Sequence, residues 1–183
     1  MSAIELMMEE HKNIKEMLKV VRKACFSVLN GEEINYDDFY KMISFIKEYA
    51  DSHHHKKEED ILFNRMIIEI GGTAEKVIRY GMLVEHDLGR LYIMNLSEAL
   101  KNLENGNEEA KLDVIANAVS YANLLDRHIH KEDNVVYNFA KRELKDETIN
   151  TINNECLAFE DNYINEKDEN LAILRELKIK YCI

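Results

Sequence analysis

Apolar residues recur at helical spacing along four stretches of the chain, each about 25 to 40 residues long. Within a stretch, apolar side chains stand three or four positions apart, which places them on one face of an α-helix. The four stripes are Ile4, Met8, His11, Ile14, Leu18, Val21, Cys25 and Val28; Phe39, Ile43, Ile46, Ala50, His54, Ile61 and Leu62; Ile78, Met82, His86, Ile93, Leu96, Leu100 and Leu103; and Val114, Ala118, Tyr121, Leu125, His128, Val135 and Phe139. The pattern predicts four amphipathic helices.

Turn signals separate these stretches at three places, Asn30-Gly31, Gly71-Gly72-Thr73 and Asn105-Gly106-Asn107. The first helix opens with Ser2-x-x-Glu5, a capping-box pattern in which each residue satisfies a free backbone N–H of the other. Four helices of similar length with short connections favour an all-α, up-down-up-down four-helix bundle.

The helical pattern continues beyond the fourth stretch, but in shorter pieces. The apolar positions there are Ile149, Ile152, Cys156, Phe159, Tyr163, Leu171, Leu174 and Tyr181. We therefore predict a four-helix bundle over residues 1–145 and an appendage over residues 146–183, made of one or two shorter helices packed on the bundle. No chemistry is predicted for the appendage.

Composition supports a helical fold and disfavours several functions. The 183 residues include no proline, no tryptophan and six glycines, which argues against turn-rich sandwiches and barrels. A net charge of −11, spread along the chain, disfavours nucleic acid as a partner because phosphates need a basic face. No apolar run approaches the ~20 residues of a membrane span, and the N-terminus lacks a signal-peptide pattern. Three scattered cysteines indicate reduced thiols, so we expect a cytoplasmic protein without a membrane partner.

One histidine stands in each of the four stripes: His11, His54, His86 and His128. A single histidine on an apolar stripe is usually a hydrogen-bonded core residue, but one on every helix of a bundle favours a metal site. Glu58 and Glu132 follow two of them by four residues, so each shares a helix face with its histidine. A buried ionised carboxylate is costly unless a cation or a metal compensates it.

An internal repeat relates the two halves of the bundle. Glu10-His11 matches Glu85-His86, and His54-x-x-Lys57-Glu58-Glu59 matches His128-x-x-Lys131-Glu132-Asp133. The interval is 43 residues from the first to the second histidine and 42 from the third to the fourth. Two such halves facing across a pseudo-twofold axis would each supply two histidines and one glutamate. Six ligands in two equal sets predict two metal ions with bridging carboxylates.

The repeat also selects a register within the run of three consecutive histidines. Aligning the Lys-Glu steps pairs His54 with Glu58 and turns Glu59 away from the metal ions. His55 lies about 100° around the helix from His54. Two interpretations of His55 stay open: a further metal ligand, or a residue outside the coordination shell.

Polar residues beside these ligands are expected to have ordinary structural roles. We expect solvent exposure of His53, His130, Glu10, Glu85 and the pair Lys56-Lys57. For the two glutamates the alternative is a hydrogen bond to a ligand histidine. Tyr121 is expected to be a core residue with a satisfied hydroxyl, in preference to an iron ligand or a proton donor.

The donor set favours iron over other metals. Imidazole and carboxylate together suit zinc, iron, manganese or copper, but a structural zinc site normally has four ligands and often cysteine. Six or seven ligands without cysteine fit a dinuclear iron site best. Ferritin-type bundles use Glu-x-x-His pairs with two further glutamates. This chain has His-x-x-x-Glu pairs with two further histidines, which disfavours a ferritin-type oxygenase.

At these residues the chain resembles the hemerythrin-like (HHE cation-binding) family. The resemblance rests on the order H, H-x-x-x-E, H, H-x-x-x-E on successive helices, and it covers about residues 3–145. Three stretches also look like that family: Glu58-Glu59-Asp60-Ile61-Leu62-Phe63, Glu85-His86-x-x-Gly89-Arg90 and His128-Ile129-x-Lys131-Glu132-Asp133. The resemblance implies a four-helix bundle around an oxo- or hydroxo-bridged, non-haem di-iron centre. The implied ligands are His11, His54, Glu58, His86, His128 and Glu132.

Two departures from the oxygen-carrying hemerythrins bear on function. Those proteins have a second histidine one turn after the third-helix histidine, where this chain has Arg90. They also have His-x-x-x-x-Asp on the last helix, where this chain has His128-x-x-x-Glu132. A simple oxygen carrier is therefore not expected. The place of the missing ligand is open, or is filled by His55, a tyrosine or water.

The resemblance implies proteins that bind or sense dioxygen, react with peroxide or nitric oxide, or move iron. The leading interpretation is a di-iron protein that binds or reacts with dioxygen, peroxide or nitric oxide, in redox sensing, reduction or an oxidative-stress response. The sequence has no flavin, nicotinamide or rubredoxin-like motif, so any electrons would come from an external donor. The alternative is an iron storage or delivery protein with a labile di-iron site.

Overall fold

Six helices and no strand make up the computed structural model, which describes residues 1–183. α1 is Ala3–Leu29; α2 runs without a break through Tyr36–Phe45, Ile46–His55, Glu58–Phe63 and Asn64–Ile70; α3 joins Gly72–Val77, Ile78–Met82 and Leu83–Glu104; α4 joins Ala110–Lys131, Glu132–Val136 and Tyr137–Glu143; α5 is Asp146–Asn162; and α6 is Ile164–Tyr181. The predicted all-α bundle with additional C-terminal helices is confirmed.

The helix boundaries follow the turn and cap signals of the sequence. Ser2 Oγ accepts a hydrogen bond from the Glu5 N–H, and the Glu5 carboxylate accepts one from the Ser2 N–H, which completes the predicted capping box. The first three turns each contain a glycine at positive φ: Gly31, Gly71 and Gly106. No helix of the chain combines the length and the apolar character that crossing a membrane requires.

Two apolar clusters form the core, one of 30 buried residues and one of 16. A layer of buried polar side chains, here called the polar layer, lies between the two clusters along every helix of the bundle. It occupies the positions between Met7 and Ile14 on α1, Ala50 and Ile61 on α2, Met82 and Ile93 on α3, and Leu125 and Val136 on α4. Apolar packing therefore covers this layer at both of its ends along the bundle axis.

Wide, π-helical turns interrupt the α-helical geometry in the polar layer. They cover Ile46–His55 and Glu58–Phe63 on α2 and Glu132–Val136 on α4. Such turns are frequent at functional sites. A wide turn delays the return of a side chain to the same helix face, which shifts the buried stripe along α4. The predicted burial of Val135 is therefore wrong, since its side chain is exposed while the next two residues are buried.

The C-terminal helices α5 and α6 pack mainly against α1 and α2. Ile152 and Cys156 of α5 join the smaller apolar cluster, and Leu174 and Leu177 of α6 join the larger one. These helices therefore cover the side of the bundle formed by its first two helices.

Candidate metal centre

All seven residues predicted as ligands, His55 included, lie in the polar layer, and none exposes more than 5% of its surface. Their donor atoms form two groups, each within 4.8 Å: His11, His54, Glu58 and Glu132, and His55, Glu58, His86 and His128. Glu58 belongs to both groups, so the layer is one site with two ends. α1 and α2 supply His11 and His54, while α3 and α4 supply His86 and His128, which is the division indicated by the repeat.

The two buried carboxylates each reach imidazoles at both ends. Glu58 Oε2 lies 3.7 Å from His54 Nε2 and 3.6 Å from His86 Nε2. Glu132 Oε2 lies 3.4 Å from His11 Nε2, and its Oε1 lies 3.0 Å from His128 Nε2. Carboxylates in this position can be shared between two metal ions.

Each of the five inward-facing imidazoles has its Nδ1 atom beside a carboxylate. The pairs are His11 with Asp133 at 2.7 Å, His54 with Glu10 at 2.8 Å, His55 with Asp51 at 3.3 Å, His86 with Glu59 at 2.6 Å, and His128 with Glu85 at 2.9 Å. Because the carboxylate accepts, Nδ1 carries the hydrogen and each ring turns Nε2 toward the centre, where the neutral form of the ring presents a lone pair.

These contacts correct two expectations from the sequence and give a third glutamate a role. Glu10 is buried and accepts from His54, so its predicted exposure is wrong. Glu85 and Glu59 are each partly buried against a ligand histidine, and neither is a free helix charge. The alternative role of orienting histidines therefore applies to both predicted glutamates and extends to Glu59.

The site has buried carboxylate oxygens that no protein donor satisfies. Burial raises the pKa of Glu58 well above its ordinary value, and the charge of Glu132 raises it further. Burial also favours the neutral form of Glu132, but His128 and the other imidazoles hold the pKa of that carboxyl well below its usual range. Four inward-facing atoms have no hydrogen-bond partner: His54 Nε2, Glu58 Oε2, Glu132 Oε1 and Glu132 Oε2. The donor set and its unsatisfied atoms fit a pair of metal cations.

Tyr137 is a site residue that sequence reasoning missed. Its ring is fully buried and stacks on His11, with centroids 5.6 Å apart, and its hydroxyl donates to Glu58 Oε1 at 2.5 Å. Phe63 stands at the same place in the repeat and stacks on His86. Extending the repeat by five residues beyond the two glutamates would have paired these aromatic residues.

A second buried ionic group, here called the Lys57 cluster, consists of Lys57, Glu10, His53 and Glu160. The Lys57 ammonium is fully buried and donates to both glutamates. His53 Nε2 lies 2.9 Å from Glu160 and 3.1 Å from Glu10. The predicted solvation of Lys57 and exposure of His53 are therefore wrong. The predicted appendage also contributes a charged residue to this cluster, since Glu160 belongs to α5.

Arg90 does not reach the centre. It donates to Asp51, Glu59 and Asp87, on α2 and on its own helix. Tyr121 is buried but outside both ligand groups, and its hydroxyl has no partner, so the predicted satisfied hydroxyl is wrong. A cleft of about 690 Å³ passes these residues and is also lined by His55 and His86.

Comparison with protein families identifies a match over most of the chain. The family description of the hemerythrin HHE cation-binding domain matches residues 2–140, a span that contains both ligand groups and their Nδ1 partners. A comparison with curated proteins found no match.

Proposed function

The chain belongs to the hemerythrin HHE cation-binding family, and on that premise we propose a non-haem di-iron protein that binds or reacts with dioxygen, peroxide or nitric oxide. The observation that carries the proposal is the pair of fully buried carboxylates, Glu58 and Glu132, with oxygens that no protein donor satisfies. The proposed ligands are His11, His54, His55, Glu58, His86, His128 and Glu132, with the two glutamates shared between the metal ions.

Two iron ions held here would supply one-electron redox capacity and Lewis acidity. The chain's own residues set the conditions for that chemistry. The apolar clusters cover the polar layer above and below, and the Nδ1 partners hold each imidazole with Nε2 inward. Because burial raises the pKa of Tyr137 well above its ordinary value, the phenol keeps its proton. Its hydroxyl donates to Glu58 Oε1 and lies 3.5 Å from His11 Nε2, so the proton is held beside two of the proposed ligands.

Burial of the ligands speaks against the alternative of labile iron storage or delivery. All seven proposed ligands are enclosed between the apolar clusters. Release of a metal ion would require several of these buried side chains to move away from it together, which is slow compared with the side-chain motion that suffices at an exposed site. We therefore favour a retained metal centre.

Metal analysis combined with anaerobic optical titration tests the proposed function. Protein expressed in iron-rich medium should contain about two iron atoms per chain. Its reduced form should change spectrum with dioxygen, peroxide or nitric oxide. Removing dioxygen should not restore the reduced spectrum, because the two ferrous ions would supply two electrons, and Tyr137 together with solvent two protons, to convert dioxygen to hydrogen peroxide. One tightly held zinc ion without iron would contradict the proposal. Full return of the reduced spectrum would identify an oxygen carrier instead.

Replacing Tyr137 with phenylalanine should slow peroxide turnover without loss of iron. The substitution removes the hydroxyl that faces Glu58 and His11 but keeps the ring that stacks on His11. A positioned acid typically contributes 10²–10⁴-fold, so we expect turnover to fall by about 100-fold. Stopped-flow rates with measured iron content check this result.

Tyr121→Phe is the matched control, because it removes another buried hydroxyl from the bundle at a position outside both ligand groups. We expect an unchanged rate. Equal slowing in the two variants would assign the effect to general packing and remove the proton-donor role from Tyr137.

A further inference from the structure

The two ends of the polar layer differ in a way that the repeat does not dictate. In the repeat alignment, His55 corresponds to Ile129, and Asp51 corresponds to Leu125. The His86 end therefore gathers a third imidazole together with that imidazole's own carboxylate partner. The His11 end has no equivalent pair.

Arg90 links the carboxylates that orient two of these imidazoles. Its Nε donates to Asp51 Oδ1 at 2.9 Å, and its Nη2 donates to Glu59 Oε1 at 2.7 Å. The planar guanidinium has five donors in a fixed fork, so one side chain can hold two carboxylates at once. Lys15 stands at the matching position of the other half, where its ammonium lies 3.6 Å from Asp133 alone.

Each of these two carboxylates is also hydrogen-bonded to a proposed ligand imidazole, so Arg90 restrains both imidazoles indirectly. Asp51 Oδ1 accepts from His55 Nδ1, and Glu59 Oε1 accepts from His86 Nδ1. The two rings stack with centroids 3.9 Å apart and planes 12° from parallel. The two carboxylates that hold these rings therefore share one cation outside the centre.

We propose that Arg90 is a positioning residue that, through Asp51, brings His55 to the centre as a third imidazole beside His86 and His128. The proposal rests on the metal site of the proposed function. It gives the two metal positions unequal ligand sets, with three imidazoles at one end and two at the other. Arg90, which stands one turn after His86, thus acts through His55 of the neighbouring helix and is not itself a ligand.

The first test uses metal-free protein and does not depend on which metal binds. Nitrogen-15 NMR of the histidine rings distinguishes a hydrogen on Nδ1 from one on Nε2. In the native chain the hydrogen of the His55 ring should be on Nδ1, which donates it to Asp51. In Arg90→Gln and Asp51→Asn we expect a mixture of both forms. An unchanged Nδ1–H form in both variants would overturn the proposal.

The second test measures metal affinity by titrating metal-free protein with Co²⁺ and following its visible absorption. Loss of a hydrogen-bond partner outside the coordination shell typically lowers metal affinity 10–100-fold. Of the two Co²⁺ ions, the one that binds less tightly should therefore bind about 10-fold more weakly in Arg90→Gln than in the native chain. Arg90→Lys, which keeps the charge but not the fork, should restore part of that affinity. Native affinity for both ions in Arg90→Gln would contradict the proposal.

Asp87→Ala is the control, since Asp87 contacts Arg90 at 3.0 Å but touches no histidine and is largely exposed. It should leave both the histidine spectra and the affinities unchanged. A native chain that binds fewer than two metal ions would refute the proposed function, while the NMR comparison would still decide the role of Arg90 toward His55. If Asp87→Ala and Arg90→Gln lower the Co²⁺ affinity equally, the loss comes from a general change in surface charge, and the specific role of Arg90 is refuted.

Discussion

Glu58→Ala and Glu132→Ala should each remove both metal ions and not one of the two. Each carboxylate lies between imidazoles of both ends of the polar layer, so neither end keeps a complete ligand set without it. We expect iron content to fall from about two atoms per chain to near zero. Metal analysis after identical expression checks this result, and a variant that keeps one tightly bound ion would show that the carboxylates are not shared.

Glu58→Gln separates loss of metal from loss of folding. The amide keeps the size of the side chain but removes the charge that burial makes unfavourable. The metal-free variant should therefore unfold at the same temperature as the metal-free native chain, or higher, while binding little iron. Glu59→Ala is the matched control on the next residue, since Glu59 contacts only His86 Nδ1 in the layer and its loss should weaken binding without abolishing it. Normal iron in Glu58→Ala with loss in Glu59→Ala would show that the repeat alignment is wrong.

Lys57→Met should be among the most destabilising single substitutions in the chain. It leaves Glu10 and Glu160 facing each other without the ammonium that both contact, and the cluster around them is buried. Breaking a buried ion pair by removing one partner costs about 3–5 kcal/mol. Urea unfolding of the metal-free protein measures this cost independently of the metal centre.

Lys131→Met is the matched control, because the repeat places Lys131 opposite Lys57. Lys131 contacts Glu85 in the same manner, but its side chain is half exposed and no C-terminal helix covers it. Exposed ion pairs contribute about 0–1 kcal/mol, so this variant should unfold almost as the native chain does. Similar losses of stability in the two variants would mean that burial by α5 is not what makes Lys57 important.

The fold and the inward-facing candidate ligands were accessible from the sequence because both depend on local periodicity. His11, His54, His86 and His128 each occupy an apolar stripe, and the repeat supplied the register of the two glutamates. The structure brings these residues together with His55, for which the sequence left two interpretations open.

The residues that were missed depend on geometry that a single helix does not contain. Tyr137 was left out of the fourth stripe because the wide turn after Lys131 shifts the stripe that regular spacing would continue. Glu10 and Glu85 each orient a histidine on a neighbouring helix, which only the packing of helices can specify. Lys57 and His53 look exposed on an isolated bundle, and α5 buries them.

The polar layer has a consequence for how the chain holds together. It divides the core into the two apolar clusters, which lie on the same helices but are packed separately from each other. Cooperative unfolding requires that such bodies be coupled, and unsatisfied carboxylates couple them poorly. Cations bound by Glu58 and Glu132 would bind residues of both halves into one unit. The metal would then determine whether the domain opens as a single unit or in two steps, and amide hydrogen exchange would register that difference as one protection level or two.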